Sequence, residues 1–368
     1  MTKAAELAKM GEVITNSQIG GRRNIVINGA MNVAQRGTSQ TGISASANES
    51  YSTVDRFRFD GGSHGGVLTA SQSTDAPTGF SNSFKMDCTT ADTSIAAGEY
   101  FIFQTSFEGQ DVQQFAKGTS SAKPITVSFY VKGNASATYT VELRDVDNSR
   151  RNSQEFSVTT DWVRITRTFV ADTTGTLDDD NANSFTLQFW LHAGSTYTGG
   201  THTDNVWHNT NNQIVGDNNT SFFDSTDRTF FLTGLQMELG SQATPFENRS
   251  FGEELALCQR YAVMIKEGVT SIDRFGVGST ASATTVQLVL QHPVRMRSTP
   301  TLTTTGTAAD YQVYSVDVTP CSVVPALGAG SQFNSRYNFV VSSGLTGGHA
   351  AQCMARVSNA YLLLTSEL

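Results

Sequence analysis

The chain has 368 residues, with 25 Lys and Arg against 33 Asp and Glu, a formal net charge of −8 and only 16% charged residues. That balance repels a phosphate backbone, and Arg150-Arg151 is too short a basic patch to override it, so no nucleic-acid partner is expected. The length suffices for two or three domains with cores of their own, and the abundance of Gly, Ser, Thr and Asn fits secreted or virion β-proteins better than cytosolic enzymes.

Residues 3–10, "KAAELAKM", are good helix formers, but roughly two turns of helix are marginal alone in water, so this segment needs a partner. Gly20-Gly21 follows as a flexible joint. The chain opens without a charged region followed by an apolar one, so no signal peptide is expected, and no apolar run approaches the ~18 residues of a membrane span. From residue 24 to about 246 the pattern is β. "ITVSFYVKG" sets Ile125, Val127, Phe129 and Val131 on one side and Thr126, Ser128, Tyr130 and Lys132 on the other. "FTLQFWLHAG" does the same, with Phe185, Leu187, Phe189 and Leu191 opposite Thr186, Gln188, Trp190 and His192. Such strands between Gly, Asn, Asp, Ser and Thr-rich turns predict an antiparallel β-sandwich.

"RSFGEELALCQRYAVMIKEG" predicts a helix over 250–268, capped by Ser250 with Glu253 and ended by Gly268, with Phe251, Leu255, Cys258, Ala262 and Ile265 as one apolar stripe. "TTVQLVLQHPVRM", "DYQVYSVDV", "RYNFVVSSG" and "AYLLLTSEL" then predict a second, smaller β-domain over 269–368, with "YLLLTSEL" a paired strand. Cys88, Cys258, Cys321 and Cys353 are spaced too widely for a zinc or iron-sulfur motif and are expected to be buried free thiols.

"GGRRNIVINGAMNVAQRGTS", "VDRFRF", "KPITVSFYVKG" and "GLQMELGSQATPFENRSFGEELALCQRY", in that order, resemble a family of tailed-bacteriophage virion proteins, mainly tail fibres and related receptor-binding proteins. The resemblance runs from about residue 1 to 265. It implies an N-terminal anchor segment (1–23, with Ala4, Leu7 and Met10 as its contact residues) and a jelly roll like that of carbohydrate-binding modules (24–249); with the connecting helix and the C-terminal β-domain read from the pattern, where residues 270–368 match the family least, the whole is expected to be an all-β subunit. It further implies a homotrimer on the tail of the virion, joined through its N-terminus to tail adaptor or nozzle proteins, made in the host cytoplasm and meeting a host surface glycan. "NIVINGAMNVAQRG" is then expected as a strand entering the jelly roll, with a structural role.

Tyr130 and Trp190, opposite their strands' apolar residues, are candidates for stacking on sugar rings, as are Tyr197 and Trp207 in the loop "HAGSTYTGGTHTDNVWHN". The alternative for each is packing beneath a loop or against another subunit. Asp178, Asp179, Asp180, Asn181 and Asn183 offer oxygen ligands for a structural calcium ion, or else form a solvated acidic turn. His202, Asp204 and His208 fit no regular zinc motif. No cofactor is otherwise expected. No nucleophile with a base and no phosphate-cradling loop is present, and Glu142, Asp145 and Asp147 are not marked as a catalytic pair, so no enzyme is expected. The leading expectation is a non-catalytic adhesin on a phage tail. The alternatives are a decoration or connector protein without glycan binding and, behind it, a depolymerising tailspike.

Overall fold

Phenylalanine alternating with polar residues builds the larger part of the molecule. On one strand Phe101, Phe103 and Phe107 enter the core; on its neighbour Phe185, Leu187, Phe189 and Leu191 do so, while Gln104, Thr186 and Gln188 take the other face. The computed structural model describes residues 3–4, 23–45, 51–266 and 274–368, and the chain divides at Phe251 into two units.

The strands of the first unit are β1 (Ser39–Ile43), β2 (Arg58–Gly62), β3 (Val67–Ser73), β4 (Ser83–Thr90), β5 (Tyr100–Glu108), β6 (Ile125–Gly133), β7 (Ala137–Asp145), β8 (Arg150–Val158), β9 (Val163–Phe169), β10 (Asn183–Ala193) and β11 (Thr229–Leu239). They form two antiparallel sheets, ordered β1-β3-β4-β11-β6-β9 and β2-β5-β10-β7-β8. The chain crosses between the sheets at every step except β3 to β4 and β7 to β8, which is the winding of a jelly roll. The inner faces share one aromatic core, with Phe84 and Phe103 at 4.5 Å and Phe129 edge-on to Phe189 at 5.0 Å. Apolar burial on this scale, at ~25 cal/mol per Å2, is the main stabilising term.

Residues 24–38 depart from the expected entering strand. They run as buried turns, with Asn28 and Met31 at φ of 62° and 59°, values that no β-ladder accepts. Side-chain amides replace ladder bonds here. Asn28 Nδ2 donates to the carbonyls of Val33 and Asp55, and its Oδ1 accepts from Val33 N–H. Asn24 Nδ2 donates to Leu235 O, and its Oδ1 accepts from Val26 and Met237 N–H. Gly29 lies so close to β11 that a Cβ there would sit 2.1 Å from Leu235 O. From the far end of the unit, Arg249 donates to the carbonyls of Val26 and Asn24, and Glu247 Oε2 accepts from Asn24 N–H at 2.6 Å. Gln236 and Glu238, both fully buried, tie Thr244 and Glu247 to β11. Asp55, next to the fully buried Arg56, receives Gln35 N–H and faces Arg36.

In the second unit the expected 250–268 helix is shorter. Helix α1 spans Phe251–Gln259, and the chain turns to enter β12 (Ala262–Ile265). Ala262 and Ile265 therefore lie on a strand, Phe251 is exposed, and the helix buries Glu254 and Cys258, so the five residues form no single stripe. Tertiary pairing overrides helix propensity: β12 pairs with β20 (Leu362–Thr365), burying Val263 beside Leu362 and Leu364. Between them in sequence lie β13 (Arg274–Thr280), β14 (Thr285–Gln291), β15 (Thr301–Thr304), β16 (Tyr311–Tyr314), β17 (Val318–Gly330), β18 (Asn334–Val341) and β19 (Ala350–Ala355). β20 is the central strand of a β12-β20-β15 sheet, and the other six strands close a barrel ordered β13-β14-β18-β17-β16-β19. All four cysteines are free and buried. Burial raises the Cys88 thiol to about 11 and that of Cys321 to about 12.

Of the anchor residues, Ala4 is helical and exposed, while Leu7 and Met10 lie outside the described residues. Among the described residues no helix is long and apolar enough to cross a membrane. Asn28→Ala should destabilise the first unit by about 3–5 kcal/mol, from three lost buried hydrogen bonds and a left-handed φ imposed on alanine. Asn28→Gly, which relieves the strain alone, should cost less; urea unfolding of both variants checks the order.

Candidate functional site

The outer face of the β2-β5-β10-β7-β8 sheet carries a row of polar residues where a solvent-facing sheet would carry scattered ones. Register places Arg58, Gln104, Gln188, Glu142 and Ser153 side by side across the five strands, and Asp60, Ile102, Trp190, Thr140 and Glu155 in the next row. Gln104, Gln188, Glu142, Thr140 and Ser153 are all buried, because the 194–220 segment folds back over this face. His208 forms a β-bridge with Arg151, Ser153 Oγ donates to Ile214 O at 2.7 Å, and Ile214 and Val215 are fully buried against Ile102 and Trp190.

Trp190 thus lies off the core, as its alternation implies, yet it is only 3% exposed. Its indole N–H donates to Glu142 Oε2. Burial pushes the Glu142 carboxyl above its ordinary range, against the opposing pull of Arg151, the Trp190 indole and Arg144. Arg151 Nε lies 3.7 Å from Glu142 Oε1. Thr140 Oγ1, Glu142 Oε1, Arg144 Nε and Arg151 Nε make no hydrogen bond to another protein group.

Tyr197 packs on Trp190 with ring centroids 5.0 Å apart and meets Tyr100 edge-on at 5.4 Å. Both tyrosines are half-buried, and the Tyr100 hydroxyl donates to Asp60 Oδ1 at 3.0 Å. Burial, then the nearby Asp60 charge, raises the Tyr197 phenol, with Arg151 opposing. The result is a rim of two tyrosines, an aspartate and an arginine above a buried tryptophan.

The other aromatic candidates lie elsewhere. Tyr130 is on the outer face of the opposite sheet, 5.4 Å from Phe80 and against Gly234, whose φ of 61° marks the register shift in β11. Trp207 packs against the core, donates to Val170 O at 2.8 Å and lies 5.3 Å from the Lys117 ammonium. That ammonium is itself held by Asp145 and Asp172.

Asp178, Asp179 and Asp180 are exposed, with Asn181 and Asn183 half-buried. Asp180 Oδ1 accepts from Ala182 N–H and Asn183 Oδ1 from the Thr186 hydroxyl, so the turn is closed by its own hydrogen bonds. His202 Nε2 is 2.9 Å from Asp204 Oδ1, while His208 Nδ1 accepts from Thr210 N–H. Asp145 is engaged with Lys117, and Asp147 accepts from Asp178 N–H. Tyr100, Asp60 and the glutamine row were missed in the sequence, although the Gln104 and Gln188 positions alternate with core phenylalanines and could have been read as a polar row.

Trp190→Ala should cost about 3–5 kcal/mol, since it empties a buried site beneath the 194–220 cover. Because the folded-state pKa of Glu142 is raised, the fold takes up a proton before the unfolded chain does as pH falls. This contribution to stability therefore grows as pH falls through the raised folded pKa and levels off near the ordinary value of 4.5. Relative to Glu142→Gln, the wild type should gain stability between pH 7 and roughly 5, measured by thermal unfolding across that range.

No protein-family model matches the chain, and no curated protein matches its sequence. Among solved structures it is similar to the family 11 carbohydrate-binding module of the cellulosomal cellulase Lic26A-Cel5E of Clostridium thermocellum, at 13% identity and a TM-score of 0.28 over 56% of this chain and 98% of that one. It is also similar to a xylan-binding domain of family 22 (12% identity, TM-score 0.29, 56% and 98% of the two chains). A third neighbour is the module TmCBM61 in complex with β-1,4-galactotriose (9% identity, TM-score 0.29, 59% and 99%).

Proposed function

We propose that this chain is a non-catalytic glycan-binding subunit of a phage tail fibre, and that the Tyr100–Tyr197 rim is where sugar is held. One observation carries the glycan reading: two half-exposed tyrosines meet edge-on over Trp190, with the Asp60 carboxylate on the Tyr100 hydroxyl and the Arg151 charge near Tyr197, beside a polar sheet face. Aromatic faces take the C–H faces of sugar rings, and carboxylate, amide and guanidinium groups take the hydroxyls. The glycans named for the structural neighbours agree with this reading, whose weight rests on this chain's own side chains. The phage assignment is supported by the ordered motif series, and attachment through the N-terminal segment goes with it. The trimer goes with the same resemblance, and outward-facing Val277, Val289 and Val323 on the barrel supply apolar surface for subunit contacts.

On an array of bacterial surface polysaccharides the full chain should bind at least one glycan and leave it intact. Tyr197→Ala and Tyr100→Ala should each weaken that binding about 5–30-fold, the ~1–2 kcal/mol of one stacking contact, with little change in melting temperature. Binding that survives both substitutions would move the site away from this rim. Light scattering at micromolar concentration should report three chains per particle; a monomer would remove the trimer from the proposal.

A further inference from the structure

We propose that Asp92, Glu99 and His192 form a divalent-cation site, of the nitrogen and oxygen donor type that suits zinc, at one end of the five-stranded sheet. Two come from the loop between β4 and β5 and the third from β10. Asp92 follows β4, Glu99 precedes β5, and His192 stands near the end of β10, just past the register shift between Trp190 and His192. One ligand atom from each lies within 4.8 Å of the others.

The imidazole makes this more than an acidic pair. His192 is fully buried, and its Nδ1 is 2.8 Å from Ser221 Oγ, which orients the ring. Nε2 points at the carboxylates with no hydrogen-bond partner, and its 3.5 Å separation from Glu99 Oε2 is too long for one. In the tautomer that gives Nδ1–H to Ser221, Nε2 presents its lone pair to two anionic groups, an arrangement that a cation between them would relieve. His64, only 5% exposed, lies with its ring centroid 6.1 Å from that of His192, and neither of its nitrogens has a hydrogen-bond partner. It is a neighbouring nitrogen donor for a fourth ligand position.

The carboxylates are held in place as second partners of a metal site would hold them. Gly65 N–H donates to Asp92 Oδ2 at 2.5 Å, and Ala96 N–H donates to Glu99 Oε2 at 3.0 Å. Asp92 is half-buried, so the group opens to solvent on its side. Zinc bonds of ~2.0–2.1 Å in a tetrahedron set ligand atoms about 3.3 Å apart, so closure asks for side-chain movement on the order of 1 Å. Calcium, which takes six to eight oxygens, fits a histidine-bearing group of this size poorly.

The test uses the full chain, stripped with a chelator and titrated with zinc chloride by calorimetry, with calcium and magnesium chloride as parallel arms. The expected result is one zinc per chain, a rise in melting temperature on loading, and at least a tenfold loss of affinity in His192→Ala and Asp92→Asn. Asp92→Asn, at a half-exposed position, keeps the test open if the histidine variant fails to fold. Cobalt(II) loading should give the intense visible absorption of a tetrahedral centre in the wild type and lose it in Asp92→Asn. No zinc uptake, uptake unchanged in the variants, or uptake of calcium alone would each overturn the assignment.

Discussion

A buried exchange of hydrogen bonds between the two ends of the first unit is what the sandwich depends on. Arg249 and Glu247 hold the backbone at Asn24 and Val26, while Asn24 in turn holds β11 at Leu235 and Met237. Each of these groups would be costly to bury alone, by roughly 1–3 kcal/mol apiece, so the set is stable only when complete. The segment before β1 and the one after β11 must therefore fold together, which makes closure of this unit a long-range event. The motifs that carry the resemblance to phage proteins, "RNIVINGAMN", "VDRF" and "PFENRS", are largely the sequence of this knot. Their part in the molecule is architectural, and the residues of the proposed glycan rim are found elsewhere.

The outer face of the five-stranded sheet shows how a cover changes what a residue can do. Trp190 has the chemistry of a sugar platform, but Ile214 and Val215 close over it and Glu142 takes its indole N–H. What it contributes is a rigid floor under Tyr197. Two tyrosines are better suited than one exposed tryptophan to a surface in repeated contact with water, because each keeps a hydroxyl at the rim while its ring body packs.

Much of this was legible from alternation. β5, β6, β7, β10 and β11 and the face on which Trp190 lies follow from period-two patterning, because one side of each strand had to enter a phenylalanine core. The turns at 24–38 were not legible, since amides replacing a β-ladder leave the apolar periodicity of "NIVI" unchanged. Helix α1 was overextended past Gln259, because "AVMI" suits either state and its pairing with Leu362–Thr365 lies far along the chain. The separation of Tyr130 from Trp190 required knowing which strand belongs to which sheet. The rim of Tyr100, Asp60 and Tyr197 joins a strand end, an adjacent strand and a folded-back loop, a juxtaposition without a local signature.

The thiols have a practical consequence. Four cysteines, all buried and free, with the Cys88 and Cys321 thiols held far above neutral, leave the native surface almost inert to maleimides and similar reagents. A single cysteine placed on the exposed side of the 194–220 cover would then be the one group labelled while the chain is folded. A fluorophore attached there would report movement of the cover directly, without first removing any native residue.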